Sequence, residues 1–132
     1  MLGSLVALLL GSCAAQASPG PAATAGTGQL RITQVRVGSG MPTEGALSYV
    51  RLERAGGVTV TRRLPGNGKL TLTVRPGAYR LLSWQRICDA NCGHLDPPSS
   101  QCARPVTVRE GEQLHAVIEV DFVSRCQIVL RR

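Results

Sequence analysis

Residues 69–87, KLTLTVRPGAYRLLSWQRI, decide the reading of this chain. In the first arm Leu70, Leu72 and Val74 share one face and Thr71, Thr73 and Arg75 the other, the period of two of a half-buried strand. In the second arm Tyr79, Leu81, Ser83, Gln85 and Ile87 alternate with Arg80, Leu82, Trp84 and Arg86. Pro76-Gly77 supplies turn chemistry between them, so the stretch reads as a β-hairpin leading into a loop that starts at Cys88.

The same alternation continues on both sides. Leu30 and Ile32 share one parity and Val35 and Val37 the other, which predicts a first strand with a bulge near Thr33 and Gln34. A second strand follows at residues 46–53. Gly56-Gly57 closes a hairpin into Val58, Val60, Arg62 and Leu64, and residues 65–68 (PGNG) form the next turn, with Asn67-Gly68 suited to positive φ. Beyond the central stretch come Val106 and Val108, a turn at residues 110–112, then Leu114, Ala116, Ile118, Val120 and Phe122, and a short last strand with Cys126, Ile128 and Leu130. No sustained apolar stripe at helical spacing occurs past residue 12. Short strands at this spacing predict an all-β fold, a seven- to eight-stranded antiparallel sandwich of Ig-like or prealbumin-like type. With one Phe, one Trp and two Tyr in 132 residues, its core must be aliphatic.

The formal charge is +7, and Lys69 is the one lysine among fifteen basic residues. Such a charge favours anionic neighbours: phospholipid head groups, acidic wall polymers or nucleic acid. The arginines are spread along the strands without aromatic interleaving or a nucleic-acid module, so no specific nucleic-acid partner is expected.

Residues 2–10 form an apolar run too short to span a bilayer and of signal-peptide length. The run ends in Leu10-Gly11-Ser12-Cys13, which resembles the lipobox of bacterial lipoproteins. That resemblance implies cleavage before Cys13 and transfer of a diacylglyceryl group to its thiol, anchoring the chain to the outside of a cell membrane. No Lys or Arg precedes the run, as expected if the true start lies upstream or the piece is truncated. Residues 13–28, rich in Ala, Gly and Pro, read as a flexible tether. The expected organisation is a signal segment at 1–12, a tether at 13–28 and a β-sandwich domain at 29–132.

Across residues 28–122, the order of strands, the segment LTLTV-RPG-AYRLLSW and the closing PVTVREGEQLHAVIEVDF resemble the carboxypeptidase regulatory-like domain. Pro76, Gly77 and Tyr79 match that family's Pro-Gly-x-Tyr turn between two core strands, and Gly111 the glycine before its closing strand. The resemblance implies a prealbumin-type sandwich serving as a non-catalytic accessory or binding module, without a cofactor.

Cys88, Cys92, Cys102 and Cys126 are an even set in a chain sent out of the cytoplasm, so disulfides are expected. Counting directions along antiparallel strands gathers all four thiols at one end, opposite the start of the first strand and therefore facing away from the membrane. Spacing does not choose the pairing. The favoured expectation is Cys92 with Cys102, closing the loop, and Cys88 with Cys126, tying two strand ends. The alternative use of Cys88, Cys92, Cys102, His94 and Asp96 is a zinc or copper site, weighed against the atypical Cys-x3-Cys spacing and the oxidising environment. His115, out of phase with Leu114 and Ala116, is expected on the solvent face.

No Gly-x-Ser-x-Gly elbow, His-Glu-x-x-His or phosphate loop is present, so no enzyme is expected. Trp84, flanked on its own face by Leu82 and Arg86, reads as a packed residue with a stacked guanidinium. Trp84, Arg86, His94 and Asp96 are the binding candidates, on or beside loops at residues 38–45, 65–68 and 88–104 that a rigid scaffold would present to a protein or envelope polymer. A second function class is an extracellular protease inhibitor displaying residues 89–101 as a disulfide-braced loop.

Overall fold

The computed structural model describes residues 26–39, 45–57, 59–88, 92–123 and 125–132. The leader, Cys13 and most of the tether lie outside them, as do Val58 and parts of the loops at 38–45 and 88–104. Eight strands follow in order: β1 (Gly28–Arg36), β2 (Ala46–Glu53), β3 (Val60–Arg63), β4 (Lys69–Val74), β5 (Gly77–Ile87), β6 (Ser99–Val108), β7 (Gln113–Val120) and β8 (Cys126–Arg131). They form two four-stranded sheets, β4-β1-β7-β8 and β3-β2-β5-β6. The all-β sandwich is thus as expected. All pairs are antiparallel except β1 with β7, which run parallel from Gln29↔Gln113 to Arg36↔Val120. Among the described residues no helix is long and apolar enough to cross a membrane.

The core is aliphatic. Leu30 and Ile32 of β1, Leu52 of β2, Leu81 of β5, and Leu114 and Ile118 of β7 are all within 2 % of full burial, and no described aromatic joins them. Each such side chain contributes on the order of 1.5–3 kcal/mol through burial. Leu70, Leu72, Val74 and Tyr79 pack against this centre while partly exposed.

The central stretch, expected as a hairpin, is instead a corner. β4 lies in one sheet and β5 in the other, and the chain crosses between them at Pro76-Gly77. Both arms have an apolar face turned to the same core, one from each side. Alternation identifies the buried face of a strand but not whether its successor lies beside it or opposite it. Gly77 has φ 154°, and a Cβ there would stand 3.1 Å from the Arg54 guanidinium. The Tyr79 hydroxyl spans the corner, donating to the Arg75 carbonyl oxygen at 2.6 Å.

The bulge expected in the first strand is absent: β1 stays in register with β7 throughout. The change of apolar parity has another cause. After Ile32 the inward positions are Gln34 and Arg36, which line a gap between the sheets, while Val35, opposite Glu119, turns outward. A real irregularity sits in β6, where Ser83 pairs with Cys102 but Gln85 with Ser99. The extra residue on β6 leaves Trp84 without a direct partner there, and Ser100, within the bulge, has φ 48°. β6 also begins earlier than expected, inside the cysteine-rich segment.

The disulfides are Cys88–Cys92 and Cys102–Cys126, with Cα atoms 4.8 and 5.4 Å apart. The favoured pairing of Cys92 with Cys102 and Cys88 with Cys126 is therefore corrected. Cys102 sits on β6 and Cys126 starts β8, the two edge strands that face each other across the sandwich, so register places them together. Arg104 reinforces this closed side by donating to the Ile128 carbonyl oxygen at 2.8 Å.

Candidate functional site

The two ends of the sandwich differ chemically. At the end where β1 and β5 start, the interior is filled by Leu30, Leu52, Leu81, Val106, Val108 and Leu114. Toward the other end, inward positions on three strands become polar: Gln34 and Arg36 on β1, Ser48 on β2, Ser83 and Gln85 on β5. Ser83 and Gln85 are only 3 % and 7 % exposed. Buried polar groups are tolerated only when hydrogen-bonded. Gln85 Nε2 donates to Ser48 Oγ at 3.1 Å, and no buried side-chain nitrogen or oxygen among the described residues lacks a partner.

This polar layer opens into a cleft of about 270 Å³ between the sheets, bounded by Gln34, Arg36, Ser48, Arg63, Gln85 and the 65–68 turn. The turn is fixed from within: the Gly68 amide donates to the Pro65 carbonyl, the Gln34 amide to the Gly68 carbonyl, and the Lys69 amide to Asn67 Oδ1. Two guanidinium groups, three carboxamides and a hydroxyl line the opening, and no carboxylate, imidazole or thiol does. Such a set can hold a small acidic group by charge and hydrogen bonds. The lining offers Ser48 no general base. Sequence reasoning missed these residues; the parity switch after Ile32 was their signal.

The residues singled out from sequence are not brought together as one site. Arg86 serves the cysteine loop: its guanidinium donates to the carbonyl oxygens of Leu95 and Asp96 at 2.9 and 2.8 Å. The Asp96 amide returns a bond to the Ile87 carbonyl, and Cys88 bridges Leu95, so the loop is laced to the end of β5. His94 and the Asp96 side chain are exposed. With all four domain cysteines in bridges, and no group of three His, Cys, Asp or Glu assembled among the described residues, the metal arrangement of Cys88, Cys92, Cys102, His94 and Asp96 does not form. His115 faces outward as expected, its Nε2 2.9 Å from Thr33 Oγ1.

Trp84 is half-buried and points to the outer face of its sheet, opposite in parity to Leu81, Ser83 and Gln85. Its packing is therefore across strands on the surface rather than in the core. Tyr49 of β2 stacks on it with ring centroids 5.7 Å apart and planes within 10°. The stacked guanidinium belongs to Arg51, 5.3 Å from the ring centre, and not to Arg86.

No family model and no curated protein sequence matches the chain. Among solved structures it is similar to GBS52, the minor pilin of the Gram-positive pathogen Streptococcus agalactiae, at 16 % identity and TM-score 0.47, covering 73 % of this chain and 44 % of the pilin. A structure described as a Gram-negative toxin is similar at 15 % identity and TM-score 0.29, covering 80 % of this chain and 23 % of the toxin. The chain thus spans less than half of either protein.

The inhibitor idea needs residues 89–101 held out as a braced loop. Cys92 is instead bridged back to Cys88 four residues away, and residues 99–101 belong to β6. Leu95 and Asp96 are tied down along the end of β5 rather than projected.

Proposed function

We propose that this chain is an extracytoplasmic lipoprotein, anchored to its cell membrane through Cys13, whose β-sandwich is a non-enzymatic accessory or binding module. The carrying observation is an orientation. β1 leaves the tether at the end where Gly28 pairs with Val74, whereas the cysteine loop, the 65–68 turn and the polar cleft lie at the opposite end. A tether attached at Gly28 therefore presents the cleft and its flanking loops outward. Two disulfides in a small aliphatic sandwich support an oxidising compartment, and a cleft without an acid–base pair supports binding over catalysis. The polar cleft lined by Arg36 and Arg63 is the contact point assigned to a protein or envelope-polymer partner, and no cofactor is invoked.

The test is the intact mass of the protein recovered from the membrane fraction of cells that make it. The reading expects a chain beginning at Cys13, heavier by its lipid and lighter by the hydrogens lost in two bridges. A soluble cytosolic chain that keeps residues 1–12 and carries free thiols would contradict it.

A further inference from the structure

The outer face of β3-β2-β5-β6 carries features that the cleft does not explain. In a chain with four aromatic residues and an aromatic-free buried core, two of the four, Tyr49 and Trp84, are stacked on this face. Core demand did not place them there. Both Tyr49 and Arg51 reach Trp84 from β2, on one side of the ring. On the other side, toward β6, the bulge at Ser100 removes the residue that would have paired with Trp84. The result is a hollow of about 270 Å³, bordered by Trp84, Leu82, Arg80, Gln101 and Ala103. Left-handed backbone at a non-glycine residue is strained and concentrates at functional sites. Here that conformation falls at Ser100, inside the bulge opposite Trp84.

The charge of the face is lopsided. Arg51, Arg80 and Arg86 have outward parity, and the one carboxylate of that parity, Glu53, sits 3.7 Å from Arg51. Among the described residues Arg80, exposed beside the hollow, makes no ion pair or side-chain hydrogen bond. We infer that this hollow is a binding subsite for an acidic polysaccharide: the indole, backed by Tyr49 and Arg51, packs on the apolar face of a sugar ring, Gln101 hydrogen-bonds its hydroxyls, and Arg80 meets its carboxylate. An aromatic wall paired with a single side-chain amide fits a polyhydroxylated ring, and the surrounding arginines require that the polymer be anionic. Single-stranded nucleic acid shares the charge, but its recognition uses a run of exposed rings along a groove, and the described residues of this face offer the single Tyr49–Trp84 stack. The inference builds on the proposal of an extracytoplasmic binding module, since that compartment is where such polymers are met. Its test is independent, because binding is measured on the purified chain whether or not Cys13 is lipidated.

Trp84 is the sole tryptophan, so its emission reports on the subsite directly. The detergent-solubilised full-length chain is titrated with polygalacturonate, with neutral dextran and with a thymidine oligonucleotide. Polygalacturonate is expected to shift Trp84 emission saturably at low salt, with affinity falling at least tenfold at 0.5 M sodium chloride and at least tenfold in Arg80→Gln, whose exposed side chain leaves the fold intact. Trp84→Phe, followed by calorimetry, is expected to bind more weakly while still unfolding in one cooperative transition. The inference is overturned if polygalacturonate leaves the emission unmoved, if dextran binds equally well, if the oligonucleotide binds more tightly than the polyuronate, or if Arg80→Gln binds like the parent.

Discussion

Gly45 shows how a single backbone position ties this fold to its oxidised end. Its φ is 78°, its carbonyl accepts the Cys88 amide at 3.0 Å, and a Cβ added there would stand 2.6 Å from the Cys88 carbonyl oxygen. Gly45→Ala must both adopt a left-handed conformation and push β5 away. It is expected to lower stability by about 2 kcal/mol, read as a fall in urea midpoint at constant slope. An unchanged midpoint would mean the contact is not made in solution. At this scale the sequence was informative about parity and silent about partners. His115 could be placed outward from alternation alone, and a guanidinium on Trp84 could be anticipated. That it came from Arg51 on a neighbouring strand, while Arg86 turned to the cysteine loop, depends on strand order, which alternation does not encode.

Among the elements, the strands themselves were legible and their assembly only in part. Seven to eight strands, an aliphatic interior and four cysteines in two bridges follow from period-two patterning, the shortage of aromatics and an even thiol count, and the fold has eight strands and two bridges. The corner at Pro76-Gly77 reads like a hairpin because both arms contribute to one core. The polar inner layer of Gln34, Ser48 and Gln85 reads like a register fault because a strand lining a cleft breaks the rule that inward means apolar. The pairing of Cys102 with Cys126 requires knowing that β6 and β8 are facing edges. It also fixes the relative value of the bridges. Cys102–Cys126 closes a separation of 24 residues and Cys88–Cys92 one of only 4. Loop-closure entropy then assigns about 3.5 kcal/mol to the first and about 2 kcal/mol to the second. Denaturation of the double Cys→Ala variants is expected to show the larger loss for Cys102/Cys126, and the reverse order would refute the topology that places that bridge across the sheets.

For the molecule as a whole, the sandwich has an apolar end where β1 begins, and a polar, bridged end bearing the cleft. Its basic outer face carries an aromatic stack. In the proposed tethered scaffold, the polarity along the long axis and the difference between faces let one attachment point determine what is displayed. All of this presumes a chain that oxidises outside the cytoplasm. The most direct measurement is a non-reducing peptide map of the protein taken from the cell envelope, digested at both arginine and aspartate so that Cys88, Cys92, Cys102 and Cys126 fall on separate peptides. The expected result is Cys88 linked to Cys92 and Cys102 linked to Cys126, and four free thiols would contradict the account.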